Sequence, residues 1–175
     1  MDQTRYVRWV NASQCLSAIE PYMLVVTQGF GRLDAKLVTE DLRRSKLLDQ
    51  TRDAALEGLR LMDHLTLSYL WVLGIYELVR TLAQRVRHDP SLLPHPMHSP
   101  LVTLKQRLER LRIPLAKMEP ATRHKDTDAP IAFPAISPTI GLAWQVSSDH
   151  FVPRRELSDA CLEFLEQLSS ASTTT

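Results

Sequence analysis

The 175-residue chain carries a net charge of +1, with 44% hydrophobic and 23% charged residues. That balance excludes a chain too polar to fold and removes any global electrostatic pull toward nucleic acid or acidic lipid. Five glycines in a leucine-rich sequence disfavour a turn-rich all-β fold, and the length suits one domain with a substantial core.

The first 33 residues are the least legible. Asn11 or Ser13 is placed to cap a short helix through Ile19. Pro21 suits the first turn of a second helix, Tyr22 to Gln28, with Gly29 and Gly31 as its terminators. A buried strand over Tyr22–Thr27 is the alternative, because a short apolar run does not distinguish the two.

Between Asp34 and His88 there is no proline, and Gly58 and Gly74 are the only glycines. Leu48, Ala55, Leu59 and Met62 recur at helical spacing, opposite Asp49, Gln50, Arg52, Asp53 and Glu57. One helix from Ser45 to His88 would be about 66 Å long, too long for a compact domain. A break near Asp63–Thr66 is therefore expected, giving an antiparallel pair, with a single long helix as the alternative. Leu65–Val86 is apolar on nearly every side through its first half, which predicts a central helix surrounded by other elements. Only 12 uncharged residues separate His64 from Glu77, fewer than the roughly 20 a membrane span needs. The N-terminus lacks an apolar signal segment, so the expectation is a cytoplasmic protein with no membrane partner.

Asp89 to Pro100 holds four prolines and reads as a connecting loop. Leu101, Leu104, Leu108, Leu111, Leu115 and Met118 then form a stripe for packing on a partner helix or on a second copy. Pro114 is expected to kink or restart that helix. Ile131–Phe133 and Leu142–Val146 read as two strands of a hairpin, with Ser137–Gly141 as the turn. A last helix, Arg154 to Leu168, presents Leu157, Cys161, Phe164, Leu165 and Leu168 on one face. The expected fold is mainly α, an antiparallel bundle of four to five helices with a small β-hairpin before the C-terminal helix. Residues 1–168 form the domain and 169–175 a disordered tail.

Chemistry is sparsely marked. Glu77 and Arg80, one turn apart on the most apolar helix and near Tyr69, form an ion pair whose desolvation calls for a structural or binding role. They line the edge of the bundle where the helix leaves the core, set helix register, or line a pocket for a ligand or small anion. Arg60 and His64 share a helix face. The pair resembles the Arg-x(4–6)-His motif of HEPN-class helical ribonucleases, although three residues intervene here; that resemblance implies an RNA-binding or RNA-cleaving protein acting as a dimer. Residues 101–125 hold seven basic and two acidic residues, and 126–175 hold two and seven. Lys105, Arg107, Arg110, Arg112, Lys117, Arg123 and Lys125 are thus the candidates for RNA or another polyanion, unless the acidic tail neutralises them. No aromatics interleave them for base stacking.

Cys15 and Cys161 are isolated thiols, and His95 and His98 lack the further ligands a metal needs. No nucleotide-binding, nucleophile-elbow or metalloprotease motif occurs, so neither metal nor cofactor is expected and no residue is assigned catalysis. Trp144, with Phe133 and Phe151, forms an aromatic patch or pins the hairpin. These observations together predict a non-enzymatic interaction module that binds a protein partner or itself.

Overall fold

The computed structural model describes residues 1–46, 54–137 and 139–173. Five helices and one three-stranded antiparallel sheet form a mainly-α fold: α1 (Gln3–Ser13), α2 (Pro21–Ser45), α3 (Ala54–His88), α4 (His98–Lys117), β1 (Phe133–Ser137), β2 (Gly141–Gln145), β3 (Phe151–Pro153) and α5 (Arg154–Thr173).

The N-terminal third is more helical than its sequence suggests. Asp2 caps α1 by accepting the Arg5 N–H at 3.0 Å, so Asn11 and Ser13 lie inside the helix and are not caps. Glu20 caps α2 and Pro21 opens it, as the proline predicts. The helix does not stop at Gly29 or Gly31, and no strand forms over 22–27. Gly31 serves close approach instead: a Cβ there would stand 2.4 Å from Cβ of Trp9 on α1.

α3 passes without interruption through Asp63–Thr66, where a break was expected. The antiparallel pair is α2 with α3, with Asp41 beside His64 and Phe30 beside Trp71. Residues 47–53 of the expected helix lie outside the described residues. At 35 residues α3 is about 52 Å long. Trp71, Val72, Ile75, Tyr76, Val79, Leu82 and Val86 are buried along it, packed against α2 and α4. It is not wrapped on all sides, however: Leu59, Met62, Leu67 and Leu70 are exposed. By length and composition alone α3 is also apolar enough to cross a bilayer, a test that buried core helices pass as well.

On α4, Leu101, Leu104, Leu108 and Leu111 are buried in the protein's own core, which leaves none of them to pair with a second copy. Leu115 is half-buried, and Met118 leaves the stripe as an exposed left-handed C-cap with φ 56°. The helix continues past Pro114 to Lys117 without restarting. The expected loop at 89–100 is shorter, with two 3-10 turns preceding His98.

The hairpin gains a third strand. β2 pairs antiparallel with both β1 and β3, and Ser137 opposes Gly141 across the expected turn. Trp144 is buried between Pro134 and Val152, whereas Phe133 and Phe151 flank Gln145 on the opposite, exposed face. Trp144 therefore pins the sheet and does not join an aromatic patch. α5 buries the five residues its spacing predicts. It runs on to Thr173, five residues beyond the expected end: Ser170 and Ser172 donate their hydroxyls to backbone carbonyls one turn back.

Candidate functional site

The largest concentration of polar chemistry is internal, and it links four helices and the sheet. Asp34 and Asp41 lie two turns apart on α2 and share a face. Arg154, the first residue of α5, bridges them: Nη1 donates to Asp34 Oδ1 at 2.6 Å and Nη2 to Asp41 Oδ2 at 3.1 Å. Asp34 also accepts from Arg5 Nε and, at 2.9 Å, from Trp9 Nε1 on α1. Arg5 continues to Ser158 Oγ and to Asp159 on α5, each at 2.6 Å. Asp41 also accepts the Leu142 N–H of β2 at 3.2 Å and His64 Nε2 of α3 at 2.8 Å. An ionised carboxylate only accepts, so Nε2 carries the proton in that bond.

Two guanidinium groups balance two carboxylates here, and each carboxylate has three donors. That satisfaction is what makes buried charge tolerable. Burial opposes ionisation of both aspartates. At Asp34 the charges of Arg154 and Arg5 outweigh it; at Asp41 the His64 hydrogen bond and Arg154 do, and both carboxyls are held below the usual range. Gly141, at φ +70°, lets the sheet approach: a Cβ there would meet Asp41 Cγ at 2.7 Å. The Arg154 guanidinium also sits 5.7 Å from the Trp71 ring centroid. Asp34 and Arg154 are 0% exposed, so the cluster works as a clamp between elements and not as a surface that meets a substrate.

Its pH dependence has a defined sign. A carboxylate with a depressed folded-state pKa contributes stability above its unfolded value, near 4, and loses it as pH falls through the folded value. Urea-unfolding free energy should therefore be insensitive to these two groups between pH 7 and 5 and fall below pH 4. The fall should be shallower in Asp41→Asn.

The residues singled out from sequence do not converge on one site. His64 is 3% exposed and belongs to the clamp, with Nδ1 buried and without a partner among the described residues. Arg60 is exposed and paired with Glu57 at 3.0 Å, whereas His64 bonds Asp41, so the two residues of the ribonuclease-like pair have different partners. Both line a groove of about 470 Å³ between α2 and α3, with Lys36, Glu40, Arg43 and Asp63 around it. Glu77 and Arg80 pair at 2.7 Å but are roughly 40% exposed, not buried. Glu77 also accepts from Arg112, whose guanidinium sits 5.1 Å from the Tyr76 ring centroid, and Tyr69 donates to the Leu115 carbonyl at 3.4 Å. An exposed i,i+3 pair contributes well under 1 kcal/mol, so the structure gives Arg80 no fold-setting role.

Acidic partners engage much of the basic run. Lys105 meets Glu109, Arg107 meets Glu156, Arg110 meets Asp128, Arg112 meets Glu77 and Lys117 meets Glu119. These pairs have unequal weight. Arg107–Glu156 is exposed, whereas Arg110 grips a buried Asp128 side chain with two bonds, at 2.8 and 2.9 Å. Thermal unfolding should place Arg107→Ala within about 0.5 kcal/mol of wild type and Arg110→Ala about 2 kcal/mol below it. Arg123 lines a second pocket of about 430 Å³ with Arg87, His98, Lys105 and Glu109. Among the described residues no group of three or more His, Cys, Asp or Glu is arranged to hold a metal ion.

No family model matches the chain, and no curated protein or solved structure is similar to it.

The clamp was not anticipated from sequence. Its one available signal was the seven-residue spacing of Asp34 and Asp41 on an otherwise apolar face that includes Leu37 and Val38.

Proposed function

We propose that this chain is a small, non-enzymatic, cytoplasmic interaction module whose docking face is the outer side of α3. One observation carries the reading: Leu59, Met62 and Leu70 are 68%, 61% and 52% exposed on a helix whose opposite face is core. Thr66 is exposed between them and Leu73 continues the line, with Asp63 the charged residue at its edge. A soluble chain seldom retains so continuous an apolar stripe without something to cover it. Covering the exposed parts of these three side chains is worth about 4 kcal/mol gross. Free thiols at Cys15 and Cys161 suit a reducing compartment.

The test is binding of an apolar fluorescent dye to the native protein. Leu59→Gln/Met62→Gln/Leu70→Gln should lose most of the dye signal while keeping the helical circular-dichroism spectrum. Unchanged dye binding would place the apolar surface elsewhere and contradict the reading. Binding of RNA or another polyanion through residues 105–125 is the second reading, favoured by Arg87, Lys105 and Arg123 around one pocket. It requires retention on heparin that falls steeply with salt, and elution beside a neutral control would count against it.

A further inference from the structure

We propose that the partner on this face is a second copy of the chain, in an antiparallel two-fold pairing of α3 with α3 centred on Thr66. The inference rests on the docking-face reading and names its occupant.

The stripe residues Leu59, Met62, Thr66, Leu70 and Leu73 are spaced 3-4-4-3, the same in both directions from Thr66. In an isologous contact every pairing occurs twice. Leu59 then meets the partner's Leu73, Met62 meets the partner's Leu70, and Thr66 meets its own copy on the axis. Charge selects this register over its neighbours. Moving the axis one turn to Leu70 brings Asp63 opposite the partner's Glu77, two like charges at a seam that excludes water. Moving it one turn to Met62 sets Thr66 opposite the partner's Gly58 and breaks the Leu59–Leu73 and Met62–Leu70 pairs. With the axis at Thr66, Glu77 faces the partner's Ala55, which is uncharged. The paired stretch is about 21 Å long, short for a permanent interface, so the dimer belongs to the weak, concentration-dependent class.

Single-cysteine cross-linking tests the axis. Thr66→Cys places a thiol beside its own copy, whereas two copies of Leu59→Cys stand about 21 Å apart along the seam. Both positions are exposed helix surface, so neither substitution threatens the fold. The native thiols react slowly: Cys161 is buried, and burial pushes the Cys15 thiol up to about 11. Under mild oxidation Thr66→Cys should form covalent dimer at least ten-fold faster than Leu59→Cys. Sedimentation of the wild type should shift from 19.9 kDa toward twice that mass as concentration rises to several hundred micromolar, and Leu70→Arg should abolish the shift. Equal cross-linking rates, or a wild type that stays monomeric throughout, would overturn the pairing. If the triple glutamine variant still keeps its fold and loses dye binding, the docking face stands with a different occupant. If that variant unfolds, both readings fall together.

Discussion

Arg154→Met should lower the unfolding free energy by about 3–5 kcal/mol. Arg154 is the only side chain that bonds both Asp34 and Asp41 in the described network, and both carboxylates remain buried when it is gone. Methionine replaces the volume but supplies no donor, and an uncompensated buried carboxylate must be desolvated or protonated. Asp34 keeps Arg5 and Trp9, and Asp41 keeps His64 and the Leu142 N–H, so the loss should fall short of the full cost of two isolated charges. A domain of this size has about 5–15 kcal/mol in total, so the loss is a large fraction of its stability. Arg155→Met is the matched control. Its side chain is nearly half exposed, and its 3.9 Å contact with Asp159 is weak. Urea titrations of the two proteins should differ by at least 2 kcal/mol; equal midpoints would mean that the clamp does not hold the elements together.

The second large effect is expected at Trp71. Trp71→Ala removes a side chain that is 0% exposed, donates its indole N–H to the Phe30 carbonyl at 3.1 Å, and underlies the Arg154 guanidinium. Truncating a buried tryptophan costs about 3–5 kcal/mol through lost burial and the cavity left behind. Leu70→Ala, on the preceding residue but on the open side of the same helix, should change stability by about 0.5 kcal/mol or less. The contrast between adjacent positions measures how one-sided α3 is. Similar losses at both would show that Leu70 packs in the core in solution.

That one-sidedness marks where sequence reasoning ran out. The apolar run around Trp71 identified the central helix, and the leucine spacing on α4 and α5 identified their buried faces, because 3.6-residue periodicity reports burial directly. Periodicity cannot say which flank of a wholly apolar helix is left open, since Leu70 and Trp71 differ in neighbours and not in character. Gly31 reads as a helix terminator for a related reason: glycine ends helices and also permits close approach, and only the position of Trp9 decides. Nothing local marks Asp34, Asp41 and Arg154, because a buried salt bridge between distant elements leaves no local pattern. His64 was noticed as the neighbour of Arg60, whereas its bonded partner is Asp41, 23 residues earlier in the chain.

The account divides the molecule into an internal charged clamp that holds the fold and an external apolar stripe that does not. The urea midpoint of Leu59→Gln/Met62→Gln/Leu70→Gln, measured at a concentration where the wild type is monomeric, tests that division most directly. A midpoint within experimental error of wild type, or above it, is the expected result. A fall as large as that of Arg154→Met would contradict the account, because the stripe would then belong to the folded core and leave no face for a partner.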